Sequence, residues 1–375
     1  MNHRKRKLTL ATVACLALTA FAPAAALAEW NPSFTTDAQV FTNPTDYYYP
    51  TVVKQGGTYH MWFQNHSGDD DVWYTCSSSP DGSTGWSTPV QCLAGGSAMA
   101  GWNTHPSVID TGTGFRIYYG DSARGIDVAE TSYANPTAWS IVGTDVVTRG
   151  SAGAFHQDSA SVHTISQWYD AFVYRYGDHY EGYFASDFGL HYGTSADGIT
   201  GWTAMNSVPN TSPPPDDTTG PPVFQKGAAG QWDSYTMGKA SVLRLADDEY
   251  HMFYGSGQSG DPKAYAAGIG YATSTDGIHW TRDPDNPLFH ITDGQAYRDR
   301  RTYTPWVFID GDVVRMYFSA EASSSGTPDS IGLANAPFGQ TQPIPEPATI
   351  VNLIALGLIM AAATVYRRHR RAQKA

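Results

Sequence analysis

Five related segments recur along the chain, and this repetition constrains the fold more than any other feature. Each segment opens with a short run in which Pro or Ala is followed by Ser, Thr or Trp and then by Val. The runs begin at Tyr49, His105, Ser159, Lys239 and Thr304. Aromatic-rich strand patterns follow them, starting at Tyr59, Phe115, Trp168, Tyr250 and Val314. Similarity at a period of roughly 50 to 80 residues indicates one repeat architecture and leaves no room for a second domain.

A tight turn closes three of the segments, and a Trp follows each turn. The turns are Asp81-Gly82, Asp197-Gly198 and Asp276-Gly277, and the Trp residues are Trp86, Trp202 and Trp280, with a looser copy from Asn135-Pro136 to Trp139. Asp-Gly supplies the positive φ that a tight hairpin needs, so the three Asp residues are predicted to be turn residues. Each unit then contains four strands. Five such units predict an all-β, five-bladed β-propeller with four-stranded antiparallel blades.

The N-terminus predicts export. Four basic residues at positions 4–7 precede an apolar run that ends at Ala26-Leu27-Ala28. This order is typical of a secretory signal helix that is cleaved after Ala28. Residues 1–28 are therefore predicted to be a signal peptide, and residues 29–343 the propeller.

The C-terminus, residues 344–375, predicts a sorting signal. Pro345, Glu346 and Pro347 lead into an apolar stretch at 350–366, which we expect to form a transmembrane helix with the following basic cluster on the cytoplasmic side. This order closely resembles the PEP-CTERM sorting signal. The resemblance implies passage through the Sec machinery, a transient inner-membrane anchor, and processing by an exosortase near the Pro-Glu-Pro sequence. The mature protein would then reach the cell surface or the extracellular space.

The net charge of the propeller region limits the classes of ligand that the protein is expected to bind. Between residues 29 and 344 the chain has 14 Lys and Arg against 34 Asp and Glu, a net charge near −20. Such a field repels nucleic acids and acidic polysaccharides, and it suits a neutral or cationic ligand or simply solubility outside the cell. No zinc or EF-hand spacing is present, so we predict no metal or cofactor, although a structural calcium ion near residues 69–71 stays open. We expect a monomer.

Two cysteines remain once the signal peptide is removed. Cys76 and Cys92 flank the Asp81-Gly82 turn at similar distances. Because an exported protein folds in an oxidising compartment, the sequence predicts a disulfide between them.

The repeated unit resembles the five-bladed propellers of the arabinanase, invertase and levansucrase superfamily, which includes glycoside hydrolase families 43 and 32. The fourth unit, from Trp232-Asp233-Ser234 to Asn286-Pro287-Leu288-Phe289, matches best, and the resemblance covers residues 40–338. It implies an exported glycoside hydrolase-like protein that acts on or binds a neutral glycan. The alternative is a non-catalytic propeller that binds carbohydrate or matrix.

Residues directly before the five runs are expected to meet at one end of the propeller axis. Asp158 and Asp233 are the first candidates for catalytic carboxyl groups, with Asp46 and Asp299 behind them, because glycoside hydrolysis needs two carboxyls beside the scissile bond. The candidates for glycan binding are Tyr48, Tyr49, Trp102, His105, Arg301 and Tyr303, since aromatic rings stack on sugars while polar groups orient the hydroxyls.

The resemblance also implies an Asp, Asp and Glu set from three inner strands, with the first Asp directly before the Pro of the first blade. Tyr49 occupies that position. Ser159 occupies the predicted third-blade position, with Asp158 one residue earlier, and Gly238 and Lys239 stand where the Glu is implied. The set therefore does not carry over residue by residue, and the sequence leaves catalysis open.

Maturation is expected to remove both ends of the chain. Mass spectrometry of the exported protein should find an N-terminus at Glu29 and no peptide from residues 350–366. Recovery of an intact 367–371 segment in released protein would contradict exosortase-like processing.

Overall fold

The computed structural model describes residues 30, 32–42, 45–66, 70–94, 104–120, 125–147, 168–186, 189–205, 222–263, 265–323 and 328–338. None of the described residues forms a helix that could cross a membrane. The predicted signal helix and the 350–366 helix lie outside this set. Residues Phe34–Ala336 form one compact unit. The other unit comprises Met1–Ser33 and Pro337–Ala375, and within it Trp30 Nε1 donates to the carbonyl of Pro337 at 3.0 Å.

The described chain folds into strands that form five antiparallel sheets, as predicted. In chain order the strands are β1 (Thr36–Phe41), β2 (Tyr47–Gln55), β3 (Thr58–His66), β4 (Asp70–Ser77), β5 (Val90–Leu93), β6 (Thr104–Asp110), β7 (Gly114–Gly120), β8 (Ile126–Ser132), β9 (Ser140–Val147), β10 (Trp168–Tyr176), β11 (His179–Ser186), β12 (Gly189–Ser195), β13 (Thr203–Met205), β14 (Thr236–Ala246), β15 (Glu249–Gly257), β16 (Gly268–Ser274), β17 (Trp280–Arg282), β18 (Phe289–His290), β19 (Arg301–Asp310), β20 (Val313–Glu321) and β21 (Ser330–Pro337).

Four blades are sequential: β2 to β5, β6 to β9, β10 to β13, and β14 to β17, with β18 added beside β16. The fifth blade combines both ends of the propeller, because β1 pairs with β21 outside β20 and β19. The first strands of the blades, β2, β6, β10, β14 and β19, contact one another in cyclic order around the axis. The ring is therefore closed by an N-terminal strand that the repeat pattern had not assigned.

The repeated run has a physical explanation in contacts between neighbouring inner strands. Its Val residues are buried inside the blades, while the preceding Ser, Thr or Trp reaches the next inner strand. Val108 N donates to Thr51 Oγ1 at 3.0 Å, and Val307 N donates to Ser241 Oγ at 2.9 Å. Trp306 Nε1 donates to the carbonyl of Val52 at 2.7 Å and so joins the last blade to the first. Each bond satisfies a buried backbone group between two sheets.

The third blade corrects the sequence-based prediction. We expected its inner strand to begin at Ser159, with the pattern after Trp168 as the second strand. Instead β10 is the inner strand and pairs with β11. The run that begins at Asp170 repeats the motif with Phe172 in the third position. A register shift lies between Trp168 and Asp170, directly before this run, whereas in the first two blades the shift spans the first two residues of the run. Asp170, not Ser159, is therefore equivalent to Tyr49.

The Trp residues after the turns pack in the gaps between blades. Tyr183 on β11 donates its hydroxyl to the carbonyl of Gly277 in the next blade at 2.9 Å, and Trp280 packs edge-on against its ring. Tyr118 with Gly198 and Tyr317 with Gly82 repeat the bond at 2.9 and 3.0 Å. Each Asp-Gly turn therefore accepts a hydrogen bond from the neighbouring blade and also closes its own hairpin.

The aspartates of these turns bind backbone amides. Asp276 Oδ1 accepts from Ile278 N and His279 N, at 2.9 and 2.7 Å, and Asp197 accepts from the amides of Ile199 and Thr200. Burial opposes ionisation of Asp276, but these bonds outweigh it and lower the pKa of the carboxyl to about 2. The repeated acids are therefore structural.

The predicted disulfide is not formed. Cys76 and Cys92 are both free. A register shift between Val72 and Trp73 places Cys92 beside Val72, whose carbonyl lies 3.3 Å from its Sγ, whereas Cys76 lies further along β4 and contacts Ser87. The turn length alone did not reveal this shift.

Replacement of Trp306 by Phe tests the bond that joins the last blade to the first. The change keeps an aromatic ring but leaves the buried Val52 carbonyl unpaired, which should cost about 1–3 kcal/mol in the free energy of unfolding. Trp86 is a matched control, because its buried Nε1 has no hydrogen-bond partner among the described residues. Urea titration should show a clearly larger loss for Trp306→Phe than for Trp86→Phe; equal losses would contradict the role of the indole bond.

Candidate functional site

The inner strands all begin at the same end of the axis, and one residue from each holds an equivalent position there. These residues are Tyr49, His105, Asp170, Lys239 and Thr304, which we call the axial ring. Tyr49, His105 and Thr304 have positive φ values of 56°, 57° and 52°. Non-glycine residues rarely adopt this conformation, and such strain clusters at functional sites.

Three members of the axial ring form a connected group. The rings of Tyr49 and His105 stack at 3.7 Å between centroids with 15° between their planes. His105 Nδ1 lies 2.9 Å from Asp170 Oδ1. The Asp170 side chain is only 5% exposed and that of His105 is 16% exposed, so His105 is the partner that a ligand can reach. The amide of His105 donates to Gln64 Oε1 at 3.3 Å and holds the backbone in place.

Lys239 crosses from the fourth blade toward the second. It is fully buried, and its Nζ donates to the carbonyl of Pro106 at 2.7 Å. Nζ also lies 5.1 Å from the centroid of the Trp306 ring and 5.9 Å from that of Tyr49. Burial lowers the pKa of Lys239 to about 8, and the negative charge of Asp170 opposes this shift. The ring thus holds a buried cation near a buried carboxylate.

A second polar cluster adjoins the ring at the fifth blade. Arg301 Nη1 lies 2.7 Å from Asp329 Oδ2, and Arg301 Nε lies 2.8 Å from Glu321 Oε2. Tyr303 donates its hydroxyl to Asp329 at 3.4 Å and packs edge-on against Tyr49. Burial raises the pKa of Asp329 to about 7; Arg301 opposes this shift, whereas Glu321 and Asp46 add to it.

The structure brings together several of the predicted binding residues. The ring of Tyr49 contacts both His105 and Tyr303. The ring centroids of Tyr48 and Tyr49 lie 5.3 Å apart. Arg301 belongs to the adjoining cluster. Other predicted residues lie outside the described part of the protein, and these are Trp102, Asp158, Ala28, Pro345, Glu346 and Pro347.

Asp233 does not join the axial ring. It is buried in the fourth blade, where its Oδ2 lies 2.7 Å from Nε of Arg282 on the outermost strand and accepts from the Tyr254 hydroxyl at 3.2 Å. Its position before β14 in the sequence suggested an axial location, but the intervening residues place it beside the outer strands. Asp233 therefore has the contacts of a structural ion pair.

Asp299 and Asp46, the two further candidates for catalytic carboxyl groups, also have structural partners. Asp299 accepts from the amide and hydroxyl of Ser323, the hydroxyl at 2.6 Å. Asp46 accepts from the amide of Asp329 at 3.0 Å. Among the described residues, no group of three or more His, Cys, Asp or Glu side chains is arranged to hold a metal ion.

Asp170 is the site residue that sequence reasoning missed. The sequence does contain a pattern that indicates Asp170, because Asp170, Ala171 and Val173 match three positions of the repeated run. Phe172 departs from the Ser, Thr or Trp rule at the remaining position, whereas the copy that begins at Ser159 matches the rule in full. Phe172 packs edge-on against Trp306 with centroids 5.2 Å apart, which explains an apolar residue in the middle of the axis.

Comparison with solved structures places the fold among glycoside hydrolase propellers. A structure of BT0996 described as an RGII complex has a TM-score of 0.59 and 16% identity, covering 81% of this protein and 91% of that one. The catalytic domain of the Coprinopsis cinerea GH62 alpha-L-arabinofuranosidase has a TM-score of 0.55 and 12% identity, covering 82% and 97%. A thermostable family-43 glycoside hydrolase has a TM-score of 0.53 and 17% identity, covering 78% and 91%.

No protein-family model matches the sequence, and no curated protein matches it either. The structural similarity, at identities this low, defines the fold: a five-bladed propeller of the type found in glycoside hydrolases. The chemistry of this protein must be argued from its own residues.

The buried charge of Lys239 makes a prediction about stability and pH. Its pKa falls from the usual 10.5 to about 8 on folding, so between these pH values the unfolded chain binds more protons and stability rises with pH. The full rise attributable to Lys239 corresponds to about 3 kcal/mol. Urea titrations from pH 7.5 to 10.5 should show this rise in the wild type relative to Lys239→Met. Parallel pH curves for the two proteins would contradict a buried ammonium.

Proposed function

We propose that this protein is an exported, glycoside hydrolase-like propeller that acts on or binds a neutral glycan at the axial ring. One observation carries the proposal: five separate inner strands bring Tyr49, His105, Asp170, Lys239 and Thr304 to equivalent positions at one end of the axis. Aromatic rings beside hydrogen-bonding groups suit the apolar faces and hydroxyls of sugars. The structural neighbours support the same class, since glycoside hydrolases recur among them.

The proposal places the protein outside the cytoplasm. Its support is the signal-like segment at 1–28 and the Pro-Glu-Pro, apolar and basic order at 344–375. Export through the Sec machinery, exosortase processing and a final location at the cell surface or in the medium follow from these segments. A glycan of the surface matrix is the partner that such a location makes available.

Binding is tested first, because it does not depend on catalysis. Tyr49→Asn removes the half-buried ring while retaining a residue that tolerates positive φ. It should weaken binding of a neutral oligosaccharide about tenfold, or ~1.4 kcal/mol, by isothermal titration calorimetry. Tyr176→Ala is the control, because Tyr176 lies on β10 at the opposite end from Asp170. If no neutral glycan binds the wild type, the proposal is wrong.

A second function, a non-catalytic binding module, is favoured by a separate observation. The resemblance implies carboxylates at the positions of Tyr49 and Lys239, and Asp170 is the one carboxylate in the axial ring. The role predicted for Asp158 stays a prediction. Asp170→Asn and Asp158→Asn should each abolish glycosidic turnover if the protein is a hydrolase. Binding without any turnover by the wild type would establish the binding module.

A further inference from the structure

Two exposed tyrosines lie at the axial end of the fourth blade. Among the aromatic side chains that the structure describes, Tyr235 and Tyr265 are the two that are exposed, at 50% and 43% of their surface. Tyr235 directly precedes β14, and Tyr265 lies in the loop between β15 and β16. Because β14 begins, β15 ends and β16 begins at the axial end, both tyrosines lie at the end that holds the axial ring.

Backbone hydrogen bonds fix the chain at both tyrosines. The amide of Tyr235 donates to the carbonyl of Gly257, at the end of β15, at 3.0 Å. Directly after Tyr265, the carbonyl of Ala266 accepts from the amide of Thr302 on β19 at 2.8 Å. Ala266 is fully buried, so this loop is fixed against the fifth blade. The backbone at each tyrosine is therefore ordered before a ligand binds, which lowers the entropic cost of binding.

The ion pair of Asp233 holds the segment that precedes β14. Asp233 lies two residues before Tyr235, is 1% exposed, and its Oδ2 lies 2.7 Å from Nε of Arg282. Its backbone carbonyl also accepts from the amide of Gly227 at 3.0 Å. Removal of one partner from a buried ion pair is strongly destabilising, so this anchor is firm. The Trp-Asp-Ser sequence of the fourth blade therefore positions Tyr235.

Tyr265 is continuous with the axial ring through the fifth blade. The guanidinium carbon of Arg301 lies 5.8 Å from the ring centroid of Tyr265 and 5.8 Å from that of Tyr303. Tyr303 in turn packs edge-on against Tyr49 of the axial ring, with centroids 5.9 Å apart. The Arg301 side chain is 18% exposed, so a ligand that lies between Tyr265 and the axial ring can contact it.

The surroundings of the two tyrosines favour a sugar chain over a protein partner. Residues 258–260, which follow β15, are exposed Gln, Ser and Gly, so the two rings do not belong to a contiguous apolar patch of the kind that marks a protein interface. Neither tyrosine hydroxyl has a hydrogen-bond partner among the residues that the structure describes. Each tyrosine thus offers a flat apolar ring and a free polar tip, which suit the apolar face and the hydroxyls of a sugar.

We propose that Tyr235 and Tyr265 form a second glycan subsite, and that the ligand is a chain of several neutral sugar residues extending from the axial ring across the fourth blade. This inference rests on the glycan-binding function proposed above and adds the length of the ligand to it. The strands next to the two tyrosines lie on either side of β15, roughly 10 Å apart, since neighbouring strands are about 4.8 Å apart. Contacts this far apart, in addition to the axial ring, require a chain instead of a single sugar.

The test compares the binding of long and short chains of the same sugar. Isothermal titration calorimetry measures cellohexaose, xylohexaose and arabinohexaose against cellobiose, xylobiose and arabinobiose. For a sugar that binds, Tyr235→Ala and Tyr265→Ala should each weaken hexasaccharide binding about tenfold and leave disaccharide binding unchanged. Both side chains are exposed, so both variants should keep the wild-type urea midpoint.

Further variants separate ring stacking from other effects. Tyr265→Phe keeps the ring and should retain most of the affinity, whereas Tyr265→Leu keeps apolar surface without a flat face and should not. Ile141→Ser is the matched control, because it removes a side chain of similar exposure, 45%, from β9 of the second blade. It should leave both affinities unchanged. Tyr49→Asn should weaken both lengths, because it alters the axial ring.

The outcomes separate this inference from the proposed function. Equal affinity of the wild type for both lengths, or unchanged hexasaccharide binding in Tyr235→Ala and Tyr265→Ala, would overturn the second subsite while the glycan-binding proposal stands. Equal losses for both lengths in these variants would also overturn it, since the tyrosines would then belong to the first subsite. A wild type that binds none of these sugars would overturn the second subsite, and calorimetry with other neutral glycans would then decide the proposed function.

Discussion

The pairing of β1 with β21 is the constraint on which the rest of the structure depends. A propeller blade exposes unpaired backbone groups at its edge, and a ring of five blades must join its first and last segments if the circle is to close. By placing an N-terminal strand outside the C-terminal blade, the protein closes the circle with main-chain hydrogen bonds. The indole of Trp306 adds a bond at the axis, from the last blade to the first. Only after closure do five strand beginnings meet at one axial end.

The contacts between blades explain why the same few residue types recur. In four of the five blades, a hydroxyl or indole at the third position of the run satisfies a backbone group of the next inner strand, whereas Phe172 holds that position in the third blade. A Tyr hydroxyl on a second strand binds the following Asp-Gly turn. These are directional polar bonds between sheets whose remaining contact is apolar. They set the position of each blade relative to its neighbour, so the axial side chains are held by the ring as a whole.

The axial ring shows how one fold can support different chemistry. Buried charges are costly unless they are compensated, and here Asp170 lies beside the imidazole of His105 and within the field of Lys239. A tyrosine and a lysine stand where the resemblance implies acids, which leaves a single carboxylate in the ring. The shape therefore follows the glycoside hydrolase propellers, while the charged groups of the axial ring differ from the set that the resemblance implies.

The sequence by itself determined the number of blades and the structural role of the Asp-Gly turns. It could do so because these features depend on local turn chemistry and strand alternation, which repeat along the protein. It also indicated Tyr49, His105, Arg301 and Tyr303 correctly as neighbours near one axial end.

Only the tertiary structure decided which strand leads the third blade, where Asp233 lies, and how β1 closes the ring. The reason is physical in each case. Phe172 replaces a hydroxyl residue because it packs against Trp306 across the axis. Asp233 forms an ion pair with Arg282 on an outer strand. Strand β1 pairs with β21, which lies almost 300 residues away in sequence. Such choices depend on contacts between distant segments, and the local pattern alone does not decide them.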